Sequence, residues 1–237
     1  MKLTRSKKPL YAQIASIVKD RILHGVYPVG TNIPPEPQLE EEFGVSKVTV
    51  RNAIKELARD GYVETGSGKG TKVIRNTSMS KLSKLKRFTE VLVEDGHRIR
   101  KQLLYAESVS NETGSVAYRL FGEKCLRIER LYLLNDEPYI HYTHYLSNRV
   151  AQLELPDLNE QSLYDLLEEQ DVSLGKYRDE FSVSAPPASV LAALQVEAGT
   201  PLLKRSRYAY DENGELIEYS EGYYHTEHHP YVVNYDV

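Results

Sequence analysis

Ser46, Lys47, Thr49 and Arg51 put one hydroxyl cap, two cations and a second hydroxyl inside six residues. Ser46 suits the N-cap of a helix, its hydroxyl accepting from the amide of Thr49. A helix start lined with polar and basic side chains fits a DNA major groove. The exposed amides and the positive dipole end meet phosphate, and an arginine fork can grip guanine. Thr49 and Arg51 are read as groove contacts, whereas Lys55 reads as a solvated face. A second set follows at once: Gly66-Ser67-Gly68-Lys69-Gly70, with Lys72 beyond it. Glycines without side chains let a backbone approach a groove floor or phosphates closely, and Lys69 adds charge. A nucleotide-cradling loop is excluded because a strand, not a helix, follows the glycines.

These groups need scaffolding, and the neighbouring residues supply its pattern. Leu10, Ile14, Ile17, Val18 and Ile22 recur at helical spacing, with Pro9 in the first turn and Gly25 at the end. A short helix over Glu36 to Phe43 follows Pro34-Pro35, and Gly44 makes the turn. Behind Ser46, Val50, Ala53, Ile54, Leu57 and Ala58 form one apolar stripe. Val63 to Thr65 and Thr71 to Ile74 predict a hairpin around the glycine tip. Helix, turn, capped helix and glycine hairpin form the layout of a winged helix-turn-helix.

Residues 9–75 resemble the DNA-binding domain of the GntR family of bacterial transcription regulators. The resemblance is carried by Pro-Leu-Tyr, Gly-x-Tyr-Pro-x-Gly, Phe-Gly-Val-Ser, Thr-Val-Arg, Asp-Gly-Tyr-Val and the glycine wing. It implies DNA contacts at Ser46, Lys47, Thr49, Arg51 and Gly68. Pro35-Glu36-Pro37 stands where the family often has Ser-Glu-Arg, so an arginine that commonly touches DNA is replaced by Pro37. Val48 stands where a polar residue is frequent.

Beyond a polar, Ser-rich stretch the period changes from helix to strand. Gln102 to Ser108, Leu126 to Leu134, Tyr139 to Leu146, Leu202 to Tyr210 and Leu216 to His225 read as strands. Asn135-Asp136-Glu137-Pro138 and Asp211-Glu212-Asn213-Gly214 read as hairpin turns. Helical stretches are expected near 112–120, 161–170 and 187–195, which makes an α+β domain. Arg130 and Tyr132 share one strand face by the period of two, and an arginine beside hydroxyls can clamp an oxyanion.

This half resembles the UTRA effector-sensing domain of the HutC branch, a chorismate-lyase-like antiparallel sheet with helices. Its marks are Arg130-Leu131-Tyr132 before Asn-Asp-Glu-Pro, Ser162-Leu163-Tyr164, and Asn213-Gly214 with Glu218 and Tyr224. In similar sugar-phosphate sensors, positions matching Phe88, Thr89, Arg130, Tyr132, Tyr142, Ser162, Tyr164, Glu218 and Tyr224 line the effector site. Arg-x-Tyr replaces the frequent Arg-x-Arg, and Tyr142 stands where a carboxylate is common. Both changes imply a ligand of lower charge or one stacked on aromatic rings. For each of these residues, sheet packing is the competing role. The domains expected are a DNA-binding domain over 1–75, a linker over 76–84 and an effector and dimerisation domain over 85–237.

The charge distribution agrees with this division. Residues 1–76 carry 13 Lys and Arg against 8 Asp and Glu, a net of +5. The remainder carries 17 against 26, a net of −9. A basic head on an acidic body suits a modular DNA binder. The one cysteine, Cys125, excludes an internal disulfide, suits a reducing compartment and is read as a packed residue. No apolar run is long enough to cross a bilayer, and the basic N-terminus leads into an amphipathic segment rather than a signal peptide. Glu40-Glu41-Glu42 reads as a solvated helix face. His225, His228 and His229 lack a second ligand group, and no nucleophile and base share a recognisable context, so neither a metal nor a catalytic set is assigned.

The expectation is a cytoplasmic transcription repressor without a cofactor. It binds a palindromic double-stranded operator as a homodimer and responds to a small polar metabolite. A DNA-tethered enzyme of the chorismate-lyase type and an effector-independent DNA-binding protein are the rival readings.

Overall fold

The computed structural model describes residues 9–66, 70–76, 92–93, 95–150, 157–160 and 162–232. Two compact units divide at Ile99 and Arg100. The linker expected over 76–84 lies outside the described residues except for Asn76. No helix among the described residues is long and apolar enough to cross a membrane.

The first unit opens with α1 (Leu10–Leu23), α2 (Glu36–Phe43) and α3 (Lys47–Arg59). Pro9 lies one position earlier than expected, as the N-cap of α1, where its extended ψ of 147° launches the helix. Gly44 closes α2 in the left-handed region, with φ 63° and ψ 37°. This turn swings the chain into α3 without the penalty a Cβ would bring. Ile14, Ile22, Leu39, Val50 and Leu57 are 2% exposed or less and form one core with Tyr62, Val63 and Val73. Burying each such aliphatic side chain contributes roughly 1.5–3 kcal/mol. Strands β1 (Val63–Gly66) and β2 (Gly70–Val73) pair antiparallel. The preceding turn also joins them: Asn32 bridges Lys72, and Ile33 N donates to Thr71 O at 2.9 Å.

The second unit is a six-stranded sheet in the order β3-β4-β5-β8-β7-β6. Its strands are β3 (Ile99–Ser110), β4 (Lys124–Leu134), β5 (Glu137–Leu146), β6 (Leu174–Ser184), β7 (Leu202–Asp211) and β8 (Leu216–Tyr224). The helices are α4 (Val116–Phe121), α5 (Asp157–Glu160), α6 (Leu163–Glu169) and α7 (Ala188–Leu194). The first hairpin turn is tighter than expected. Asn135 and Asp136 alone make it, at φ 52° and 73°, while Glu137 and Pro138 already belong to β5. Pro138 is accommodated because a register shift at Tyr132/Leu133 interrupts the ladder there. Strand β6 was not expected; it is an edge strand, and its mostly exposed residues give it no apolar alternation to read.

Both sheet faces are covered. On one, Leu158, Leu163, Leu166 and Leu167 of α5 and α6 pack on Ile128, Leu146 and Ala209. On the other, Val190 and Leu194 of α7 pack on Leu131, Leu202 and Tyr223. The hydrophobic cover on the first face leaves a polar region beside it on the same strands.

Candidate functional site

In the first unit, Ser46 caps α3 with its hydroxyl accepting from Thr49 N at 3.4 Å, and the Ser46 and Thr49 hydroxyls lie 3.0 Å apart. Val50, Ala53, Ile54 and Leu57 anchor the helix, which turns Lys47, Val48 and Arg51 outward. Val48 is 66% exposed, an apolar group on an otherwise polar face. The Arg51 Nε donates to both carboxylate oxygens of Glu36, at 3.2 and 3.0 Å, and Lys47 Nζ lies 4.0 Å from the same group. Pro37 occupies the first turn of α2, where its missing N–H is no loss. Gly68 and Lys69 lie outside the described residues.

In the second unit, pairing register brings distant residues onto one sheet face. Arg130 lies opposite Tyr142, Tyr142 opposite Gly222, and Gly222 opposite Arg205. The adjacent row runs His144, Ser220, Arg207 and Asp179. Three arginines from β4 and β7 thus share a face with Glu218. The Glu218 carboxylate is wholly buried, accepting from His144 Nδ1 at 2.7 Å and from the Tyr164 hydroxyl at 3.1 Å. Burial alone would raise it, but the His144 hydrogen bond and the charge of Arg207 hold it below the usual carboxylate range. Burial, with Arg130 and Arg205 nearby, pushes His144 below its ordinary value despite Glu218. His144 is therefore neutral near pH 7. Its Nδ1 carries the proton given to Glu218, and Nε2 is an acceptor that meets no protein donor among the described residues. Burial and the Glu218 charge raise the Tyr164 phenol, which keeps it a donor.

Arg130, fully buried, donates through Nη2 to the Leu158 carbonyl of α5. Tyr132 meets Tyr142 edge-on at 5.2 Å, and the Tyr142 and Tyr224 hydroxyls are hydrogen-bonded. Arg207 forms a fork with Asp179, both bonds at 2.7 Å. Ser162 stands at the N-cap of α6 and makes no capping bond with its side chain. Of the nine effector positions expected, the structure gathers Arg130, Tyr132, Tyr142, Tyr164, Glu218 and Tyr224 into this network. Ser162 stands two residues from Tyr164. Phe88 and Thr89 lie outside the described residues. Sequence reasoning missed His144, Arg205, Arg207 and Asp179. The signal for the arginines was Arg205-Ser206-Arg207, two cations at the spacing that puts both on one strand face. The lower ligand charge inferred from Arg-x-Tyr left these cations out of the count.

The described residues contain no group of three or more His, Cys, Asp or Glu side chains that could hold a metal. His228 instead lies 2.9 Å from Glu137, and Tyr139 donates to the His229 carbonyl. Cys125 is buried, with its thiol donating to Asn111 Oδ1 at 3.0 Å.

Comparison with known proteins matches this division. Residues 10–73 match the family described as bacterial regulatory proteins, gntR family, and residues 94–230 match the UTRA domain, which is more than half of the chain. The chain belongs to the GntR family, in its UTRA-bearing form. Among its GntR relatives is the "Probable fructoselysine utilization operon transcriptional repressor" of Escherichia coli (strain K12). It is 30% identical over 226 residues, which cover 91% of this chain and 90% of that protein. The HTH-type transcriptional repressor NagR of Bacillus subtilis (strain 168) is 26% identical, over 96% of this chain and 95% of its own. The fold is shared with the crystal structure of YydK from Bacillus subtilis subsp. subtilis str. 168, described as a possible transcriptional regulator. That match has a TM-score of 0.53 at 19% identity and covers 97% of this chain and all of that one. This GntR protein is a DNA-binding transcription regulator with an effector-binding UTRA domain, and its family and relatives are regulators rather than enzymes.

Proposed function

We propose that the protein is a cytoplasmic repressor of the HutC branch that binds a palindromic operator as a homodimer and is released by a sugar phosphate or a similar small, hydroxyl-bearing anion. The observation that carries this reading is the sheet-face network of Arg130, Arg205, Arg207, Glu218 and His144. With Asp179 included and His144 neutral, three guanidiniums face two carboxylates, which leaves one positive charge for an anionic ligand. The Tyr164 and Ser162 hydroxyls and the His144 Nε2 acceptor supply partners for ligand hydroxyls. Relatives named for fructoselysine utilization and for mannosyl-D-glycerate transport and metabolism point to the same carbohydrate chemistry.

On the DNA side, residues 1–75 read the operator through Ser46, Lys47, Thr49 and Arg51, with Gly68 and Lys69 at the wing. Val48 offers the apolar contact that a thymine methyl accepts. Residues 76–84 are the linker and 85–237 the effector domain. Effector binding then opposes operator binding by a coupling free energy of about 1–3 kcal/mol.

Footprinting on the DNA flanking the gene, with sugar phosphates and their unphosphorylated sugars added in turn, tests both halves. Protection of an inverted repeat, relieved by a phosphorylated sugar, is the expected result. Absence of a protected repeat would sink the operator reading. Equal action by the unphosphorylated sugars would sink the anion reading. Affinity should also fall with salt, by a slope of about −0.9 in log–log form for each phosphate neutralised.

A further inference from the structure

We propose that Arg205 is a second anion-recognising position, separate from Arg130, so that the effector carries two acidic groups rather than one. This rests on the effector site proposed above and narrows the class of its ligand.

Two arginines of β7, two residues apart on one face, provide an internal control. Arg207 has a carboxylate, Asp179, in a two-bond fork. Arg205 is more deeply buried, at 9% exposure, yet has no carboxylate partner among the described residues. Its Nη2 donates to the neutral Tyr142 hydroxyl at 2.8 Å, and its guanidinium lies over the Tyr142 and Tyr224 rings at 5.4 and 5.7 Å. The Nε is buried without any hydrogen-bond partner. Asp179 also acts on the Arg205 charge, but that carboxylate is already held by Arg207, so two buried guanidiniums share one anion. Burying a cation short of a hydrogen-bonded anion of its own is costly, and an acidic group of a ligand would complete it.

The surroundings are built for this arrangement. A Cβ at Gly222 would run into the Tyr142 ring, so glycine alone lets that ring lie across β8 and reach Arg205. Glu218 is held by His144 and Tyr164, while Arg205 directs its Nη2 to Tyr142 instead. Arg130 and Arg205 stand on strands three spacings apart, about 14 Å at the backbone. Arg130 is anchored on Leu158 and Arg205 on Tyr142. Two arginines held on different strands by different anchors suit two acidic groups of one molecule better than a single phosphate.

The test compares three probes with the full-length protein by thermal shift and calorimetric titration. D-glucose 6-phosphate carries one acidic group, 6-phospho-D-gluconate carries two on the same six-carbon chain, and D-gluconate carries the carboxylate alone. The expected order of affinity is phosphogluconate, then glucose 6-phosphate, then gluconate. Arg205→Met should weaken phosphogluconate about tenfold or more, as loss of a charge-assisted fork does, and bring it level with glucose 6-phosphate. Arg205→Lys should keep part of the preference, and Arg178→Met, on exposed β6, all of it. Without ligand, Arg205→Met should melt no lower than the wild type, since an apolar side chain replaces a buried charge whose nearest carboxylate, Asp179, is held by Arg207. A variant melting several degrees lower with its preference intact would make Arg205 a packing residue and overturn the proposal. Equal binding of the two phosphorylated probes by the wild type would overturn the second position and leave the sugar-phosphate reading standing. No response to either would overturn both.

Discussion

Two arginine–carboxylate pairs in this molecule have opposite settings: Arg51 shares one N–H between both oxygens of Glu36, and Arg207 forks onto Asp179 with two. On α3, Arg51 grips Glu36 with side chains 54% and 31% exposed. On β7, Arg207 grips Asp179 with side chains 21% and 25% exposed. Water screens the first pair, which is worth about 0–1 kcal/mol and can exchange Glu36 for a DNA phosphate or base at little cost. The second lies among Arg205, Glu218 and Tyr164, where burial makes removal of either partner costly. The proposed DNA-reading surface is thus a set of loosely held groups on a helix. The proposed effector surface is a buried network of coupled charges and hydrogen bonds.

The sharpest way to break this contrast is Glu218→Ala. Removing the carboxylate strands His144, Tyr164 and the neighbouring arginines. It should cost about 3–5 kcal/mol in urea denaturation and abolish the effector response. Arg51→Ala should reduce operator affinity by about 1–3 kcal/mol while the melting temperature holds. Unchanged binding in a gel-shift titration would remove Arg51 from the reading surface.

Acid should act on the body through His144 and Glu218. His144 is held neutral by burial, so its folded pKa lies below the unfolded value near 6.5. The unfolded chain then binds more protons between those two values. Stability is full above pH 6.5 and falls as pH drops through the window, by at most about 1.4 kcal/mol per unit. Glu218, depressed in the folded state, adds a further loss at pH values below the usual carboxylate range. Denaturation of His144→Gln across pH 5–7 should show a flatter profile; an unaltered slope would mean that another group titrates.

Smaller effects belong to the head. Ser46→Ala removes a cap whose 3.4 Å bond is long, so the loss in stability should sit near the low end of the usual range, about 0.5 kcal/mol. Glu36→Gln should change stability by less than about 0.5 kcal/mol. Its readout is operator affinity at low salt, which rises if Glu36 merely competes with DNA for Arg51 and falls if it holds Arg51 in place.

Much of the fold was legible because local rules sufficed. Gly44 and Ser46 announced the turn and cap that the structure contains, and Asn213-Gly214 announced its hairpin. Strand β6 escaped because an edge strand with exposed residues has no apolar period. The Asn135-Asp136 turn was overextended because Pro138 looked like a turn residue until the ladder irregularity opposite it was known. Arg130 and Tyr132 could be placed on one face from their spacing. Nothing in the sequence could say that β7 would bring Arg205 and Arg207 to that same face.

By itself, the sequence determined most of the elements, the capped helix presenting Arg51, the charge contrast between the halves and the alternation along the inner strands. These follow from interactions between residues close in the chain, where spacing alone decides which side chains are neighbours. Only the tertiary structure decided that β8 lies between β5 and β7, that Gly222 yields its space to Tyr142, and that Glu218 meets His144 rather than an arginine. Those outcomes depend on strand order and register, which are set by how the whole sheet buries its two faces.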